Sequence, residues 1–280
     1  MGKIYASQWS DYELIDAGGG LKLERWGKII TIRPDVNAYF KSGDPHSKWR
    51  QIAHAEFIES SHTKGEWKFL KDTKKEWTIE YNTLVFNLRF TPFKHVGLFP
   101  EQEFNWKWIH ENITEKSRVL NLFAYTGAAS IAARKEVAEV YHVDSIKTVN
   151  NWAKVNMESS GLVDVRWVTE DALKFASREQ KRGNSYDCIL MDPPAFGLGP
   201  NKKRWKIENH YKALIDAALN ILNPGGKIIL NTYSPKLNEQ KIKEFVLSKN
   251  GIKNFTTDTL CIKSKSGKRL EYGIRTFLEK

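Results

Sequence analysis

Cysteine is nearly absent from this sequence: 280 residues contain two, Cys188 and Cys261. Two thiols far apart in the chain build neither a disulfide framework nor a four-cysteine zinc site. No apolar run approaches the roughly 18 residues that a membrane-crossing helix needs. The opening segment, MGKIYASQWSDYELIDAGGG, lacks the apolar core of a signal peptide. These absences give the expectation of a reducing, cytoplasmic setting with no membrane partner. Also missing are the H-E-x-x-H pattern of zinc hydrolases and paired carboxylates at glycosidase spacing. No metal is expected, and His142 and His210 read as structural histidines rather than ligands. The phosphate-cradling G-x-G-x-x-G set of nicotinamide dehydrogenases is absent as well.

Large rings and positive charge are plentiful. Hydrophobic residues make up 41% of the chain, and the 12% aromatic share, with ten tryptophans, argues against disorder because each ring buries much area. Forty-four basic residues face 33 acidic ones, a net charge of +11. That balance favours a polyanionic partner, since each neutralised phosphate releases counterions. A solubilising surface is the plainer alternative. The basic side chains cluster at Lys71, Lys74 and Lys75, at Lys202, Lys203, Arg204 and Lys206, and at Lys263, Lys265, Lys268 and Arg269.

The chain has no internal repeat. Its first 92 residues read as a small β-rich region, a candidate for substrate recognition, and residues 93–280 as the catalytic domain. In the first part Leu21–Trp26, Lys28–Arg33 and Trp67–Leu70 are strand-like, with glycines at the breaks. Glu76–Phe90 alternates apolar and polar residues on both sides of Asn82, which predicts a hairpin turning at Asn82-Thr83. From about Pro100 the period changes, and Gln102–Asn112 is helical. Strands then alternate with helices: Arg118–Phe123, Glu139–Val143, Val165–Thr169, Tyr186–Met191 and Lys227–Asn231 are strands separated by helical stretches. Such alternation predicts parallel βαβ units and an α/β, doubly wound sheet. Thr256–Leu278 reads as two closing strands turning at Ser266-Gly267.

In open α/β sheets, ligands bind beyond the carboxyl ends of the strands where strand order reverses. The first strand leads into Asn121-Leu122-Phe123-Ala124-Tyr125-Thr126-Gly127, which holds a single glycine. A pyrophosphate needs several close backbone N–H groups, so a ligand without phosphate suits this loop better. The second strand ends at Asp144, 17 residues after Gly127. An acid there can hold a ribose diol, or Asp144-Ser145 can cap the following helix. The third strand ends at Glu170-Asp171-Ala172, where Asp171 can accept an adenine amine or serve as an N-cap. The fourth strand ends at Asp192-Pro193-Pro194-Ala195-Phe196, the most specific signal in the chain. Two prolines stop the ladder and stiffen the loop, presenting Asp192 at the sheet edge and Phe196 for stacking on a flat substrate.

At these residues the sequence resembles the class I S-adenosylmethionine (SAM)-dependent methyltransferases, in the branch of large-subunit ribosomal RNA methyltransferases with a D-P-P-x-F loop. The likeness runs from about Lys94 to Ser234 and includes Gly97-Leu98-Phe99-Pro100-Glu101-Gln102 ahead of the core. It implies a Rossmann-like methyltransferase fold with a seven-stranded, mostly parallel sheet whose last hairpin is reversed. It also implies that Asn121, Phe123, Tyr125, Thr126 and Gly127 hold the methionine end of SAM, Asp144 and Ser145 the ribose, and Asp171 and Ala172 the adenine. Phe99 and Gln102 would lead into the pocket. Asp192, Pro193, Pro194 and Phe196 would face the methyl group and the substrate, with S-adenosylhomocysteine as product. The cytosine-C5 members of this group attack with a cysteine near the fourth or fifth strand's loop. Here the fifth-strand loop reads Asn231-Thr232-Tyr233-Ser234-Pro235, and Cys188 falls inside the fourth strand as a small core residue.

The expectation is therefore methylation of a base nitrogen in nucleic acid, ribosomal RNA foremost. Methylation of a small molecule or a protein side chain, or a non-catalytic RNA-binding role, are the alternatives.

Overall fold

The computed structural model describes residues 1–7, 9–61, 64–198 and 204–280. The chain forms two compact units. One comprises Tyr5–Phe104 and Leu260–Tyr272, and the other Met1–Ile4, Asn105–Thr259 and Gly273–Lys280.

The chain opens with β1 (Gly2–Tyr5), an edge strand of the large sheet. The N-terminal unit follows with β2 (Tyr12–Gly18), β3 (Leu21–Trp26), β4 (Ile29–Pro34), α1 (His46–Ile52), β5 (Ala55–Ser61) and β6 (Lys64–Phe69), which hydrogen-bond in chain order into a five-stranded sheet. Its strands are antiparallel except β4 and β5, which α1 joins as a parallel pair. Leu23, Ile32, Trp49 and Ala53 form its core. Beneath it lies a buried ionic cluster: Arg33 donates to both carboxylate oxygens of Glu24 at 2.7 and 2.9 Å, and Lys22 pairs with Asp35 at 3.2 Å. Charges this deep persist only when paired. β7 (Glu76–Tyr81) and β8 (Leu84–Arg89) form the expected hairpin, with Asn82 at φ 45° and Thr83 at φ 69°. Both turn residues are left-handed, which matches the twist of a two-residue hairpin.

A 3-10 turn at Pro100–Gln102 leads into α2 (Glu103–Asn112). The larger unit then runs β9 (Arg118–Leu122), α3 (Ala128–Lys135), β10 (Glu139–Asp144), α4 (Lys147–Ser159), β11 (Val165–Thr169), α5 (Ala172–Lys181) and β12 (Tyr186–Met191). A small hairpin of β13 (Phe196–Leu198) and β14 (Arg204–Lys206) follows, then α6 (Ile207–Asn220), β15 (Leu222–Thr232) and α7 (Glu239–Leu247). The long β16 (Asn254–Lys263) and β17 (Arg269–Glu279) close the chain.

The sheet order is β1-β16-β17-β15-β12-β9-β10-β11. The five strands from β15 to β11 are parallel, and β17 is antiparallel to β15. This is the doubly wound sheet with its last hairpin reversed; β1 adds an eighth strand to the seven expected. β15 also begins at Leu222, ahead of the Lys227 expected from the sequence pattern. The segment stays in the sheet as a bulge, because Tyr186 pairs with Leu222 while Cys188 pairs with Lys227. The strands are hydrophobic because helices cover them; α5 and α6 bury Phe175, Leu214, Ile215 and Ala218 against β9, β12 and β15.

The register positions the site. Leu122 pairs with Val143 on one side and Met191 on the other. The loops leaving β9, β10 and β12 therefore start level with one another, and order reverses at β9, flanked by β10 and β12.

Candidate active site

The loop after β9 has an unusual backbone. Phe123 (φ 58°), Tyr125 (φ 48°) and Gly127 (φ 87°) are all left-handed. Two non-glycine residues in that region within three positions cost roughly 1–3 kcal/mol each, a strain that concentrates where backbone must be presented to a ligand. Gly127 has a second constraint. A Cβ there would lie 2.9 Å from the Ala153 Cβ, so glycine lets α3 pack against α4.

Asp144 ends β10 and is half-buried. Its Oδ2 accepts from the Tyr125 N–H at 3.0 Å and its Oδ1 from the Ile146 N–H at 2.9 Å. The carboxylate thus ties the second strand to the first loop. It does not cap α4, whose N-cap is Ile146 without a side-chain bond. Burial raises the Asp144 carboxyl above its ordinary value, against the opposing pull of the N–H donors. Ser145 and Ile146 beside it are exposed, Ile146 at 54%.

Behind the loop runs a buried polar chain that the sequence pattern concealed. The Asn121 amide donates to Ser130 Oγ at 2.9 Å, and Ser130 Oγ lies 3.0 Å from His142 Nδ1. His142 Nε2 lies 3.0 Å from Asn150 Oδ1, and the Asn150 amide donates to Thr169 Oγ1 at 2.9 Å and the Asp144 carbonyl at 3.2 Å. Asn156 donates to the Thr126 carbonyl at 2.9 Å. Burial pushes His142 down to about 3, so it stays neutral and structural. Asn121 and Thr126 are themselves buried; the Asn121 side chain bonds Ser130 on α3, and the loop at Thr126 is held by Asn156.

The D-P-P segment leaves β12 beside this loop, and the Asp192 N–H reaches the Leu122 carbonyl. The hairpin of β13 and β14 follows at once, and Trp205 on β14 braces the segment. Its Nε1 donates to the Pro194 carbonyl at 2.8 Å, its ring packs 5.4 Å from Phe123, and it stacks on His210 at 4.4 Å. One side chain therefore touches the D-P-P turn, the β9 loop residue Phe123 and α6. Phe196, the first residue of β13 and four residues after Asp192, is 57% exposed. Of the basic residues after this loop, Arg204 and Lys206 are exposed, while Lys202 and Lys203 lie outside the described residues.

Asp171 is the N-cap of α5, accepting from the Lys174 N–H at 3.0 Å, and Ala172 is buried behind it. In the fifth-strand loop, Ser234 donates to Glu208, which lowers the Glu208 carboxyl. Phe99 and Gln102 belong to the N-terminal unit, where Phe99 precedes the 3-10 turn and Gln102 is buried. Both cysteines are buried, and burial drives the Cys188 thiol up to about 12. No thiolate nucleophile forms at Cys188 near neutral pH. Among the described residues, no group of three His, Cys, Asp or Glu side chains is placed to hold a metal, and no helix is long and apolar enough to cross a membrane.

Residues 59–251 match the model of the S-adenosylmethionine-dependent methyltransferase family. The chain belongs to that family. It is 34% identical to a SAM-dependent methyltransferase of Agrobacterium tumefaciens, whose crystal structure superposes with a TM-score of 0.91 over all of this chain and 96% of that one. A protein assigned as a methyltransferase and solved with S-adenosylhomocysteine shares the fold at 19% identity, with a TM-score of 0.80 over 98% of this chain and 76% of that one. The ribosomal RNA large subunit methyltransferase K/L of Pseudoalteromonas atlantica is 32% identical over 207 residues, 70% of this chain. This chain spans 28% of the length of that relative.

SAM is the cofactor of this methyltransferase, and the chemistry around β9 and β10 fits it. The partly accessible Asp144 carboxylate at the end of β10 is a hydrogen-bond acceptor of the kind a ribose diol requires. The left-handed loop presents backbone without the multiple glycines that a pyrophosphate demands.

Proposed function

We propose that this methyltransferase modifies a base nitrogen in RNA, ribosomal RNA foremost. The observation that carries this reading is the D-P-P segment itself, braced by the Trp205–Pro194 hydrogen bond and carrying Asp192 at its start and the exposed Phe196 four residues on. A flat, amino-bearing substrate suits this segment: Phe196 stacks on its face, and Asp192 accepts a hydrogen bond from its N–H edge. The K/L relatives, named for ribosomal RNA, support the same substrate class. Exposed Arg204 and Lys206, with a net charge of +11, suit a phosphate backbone.

Bound SAM supplies a methyl group activated by its sulfonium. The remaining work is alignment. Asp144 would hold the ribose, the Phe123–Gly127 backbone the methionine end, and Asp171 and Ala172 at the β11–α5 junction the adenine. Asn156 fixes the loop through the Thr126 carbonyl. The proline-stiffened loop would hold the substrate nitrogen in a fixed orientation for methyl transfer. The buried, unactivated Cys188 argues against addition to a pyrimidine ring through a thiol.

The test is methyl transfer from labelled SAM to unmodified ribosomal RNA, a protein mixture and a small-molecule extract in parallel. Label recovered in an N-methylated nucleoside supports the reading; label confined to protein or small molecules overturns it.

A further inference from the structure

We propose that the aromatic cluster around Phe69 and Phe90 in the N-terminal unit is a platform for single-stranded RNA, with a base seated beside Phe69 and phosphates held by Lys71, Lys74 and Lys75. The proposal rests on the RNA reading above and names a second place on the molecule where that RNA is gripped.

Phe90 sits at the centre of three other rings. Trp67 lies 4.7 Å from it, Trp77 4.9 Å and Phe69 5.2 Å, all tilted or edge-on. The Trp67 Nε1 is anchored on the Thr91 carbonyl at 2.9 Å, so the cluster is a fixed surface. It is not a closed core. Phe69 is 44% exposed and the neighbouring Phe93 60%. Beside Phe69 lies a shallow, open groove lined by Phe69, Leu70, Lys71, Asp72, Thr73 and Lys75. An open groove of this kind suits an extended strand lying along the surface.

Strand geometry decides which charges count. Side chains alternate along β6, so Trp67 and Phe69 face one side while Lys64, Glu66 and Lys68 face the other. The lysines at the groove come instead from the turn into β7. Lys71, Lys74 and Lys75 are exposed there against a single acid, Asp72. From Lys64 to Lys94 seven basic side chains face four acidic ones.

An apolar protein partner would gain nothing from the lysine rim, and a simple polyanion would gain nothing from the open rings. Single-stranded nucleic acid uses both, through stacking on exposed aromatics and backbone charge on lysines. Asp72 at the groove wall adds an acceptor for a base amino group.

The experiment is fluorescence anisotropy of a labelled single-stranded RNA oligonucleotide at several salt concentrations, with SAM binding and thermal melting as controls. Phe69→Ala, at a half-exposed position, raises Kd roughly tenfold through lost stacking. Replacing Lys71, Lys74 and Lys75 together with Gln lowers the slope of log K against log salt by about 2. Unchanged Kd and slope in both variants, with wild-type protein still binding and methylating RNA, overturn this surface and leave the RNA reading standing. Weakening of heparin binding by Phe69→Ala equal to that of RNA overturns base stacking. Wild-type protein that binds no RNA and methylates only another substrate removes the RNA reading and this surface together.

Discussion

Ser130 Oγ and His142 Nδ1 stand 3.0 Å apart inside the larger unit, and the partners on either side fix which atom donates. The Asn150 amide nitrogen is committed to the Asp144 carbonyl and Thr169, so its oxygen must accept from His142 Nε2–H. His142 Nδ1 is then an acceptor, Ser130 O–H points toward it, and Ser130 Oγ accepts from Asn121. A single tautomer satisfies the chain from β9 to β11.

Ser130→Ala leaves the Asn121 amide and His142 Nδ1 without their partner in a buried place. The expected loss is about 1–3 kcal/mol of stability, with weaker SAM binding, measured by urea unfolding and calorimetry. Ser130→Thr, which keeps the hydroxyl, recovers more of the SAM affinity than Ser130→Ala. Equal affinity in both variants would separate the chain from the cofactor loop.

His142 also sets an acid limit. It titrates near 3 when folded and near its ordinary 6.5 when unfolded. The unfolded state therefore binds the extra proton as pH falls from 6.5 toward 3, and stability drops over that window by up to about 1.4 kcal/mol per unit. The buried His95, also pushed down to about 3, adds to the slope. Unfolding free energies measured across this window in wild type and His142→Gln check the sign: the variant has the shallower dependence.

Much of this site was legible in the sequence. Asp144 and the D-P-P segment announce themselves at strand ends, and the change of period near Pro100 predicts the sheet. Asn82-Thr83 gave the hairpin correctly although threonine is a poor left-handed residue. The concealed parts depend on contacts across the chain. Ser130, His142 and Asn150 look like ordinary helix and strand residues until β9, β10 and α4 pack. Trp205 falls in a three-residue strand too short to show periodicity. β2 alternates well, but Asp16 interrupts its apolar face; the carboxylate is tolerated because Trp49 Nε1 and the N–H groups of Ala17, Gly43 and Asp44 satisfy it. β1 is a four-residue edge strand whose place in the sheet comes from a distant part of the chain.

Trp205→Phe keeps a ring against Phe123 but deletes the donor to the Pro194 carbonyl. Its expected signature is a kcat roughly tenfold lower with SAM affinity unchanged, because the loss falls on alignment. Steady-state kinetics with calorimetry distinguish this from a general loss of fold.

Thr83 holds φ 69°, a costly place for a β-branched residue. Thr83→Gly in the hairpin turn is expected to raise stability by about 0.5–1 kcal/mol despite the added chain entropy of glycine. Thermal unfolding reads the sign directly.

The most direct test of the site is titration calorimetry of SAM against wild type and Asp144→Ala. The account predicts that wild type binds and that Asp144→Ala weakens binding by roughly 1–3 kcal/mol, the cost of losing a charge-assisted hydrogen bond to the ribose. It also predicts that wild-type affinity falls on acidification at a higher pH than an ordinary aspartate gives, because burial raises the Asp144 carboxyl. An Asp144→Ala protein that folds normally and binds SAM as tightly as wild type would contradict the placement of the cofactor at the carboxyl ends of β9 and β10.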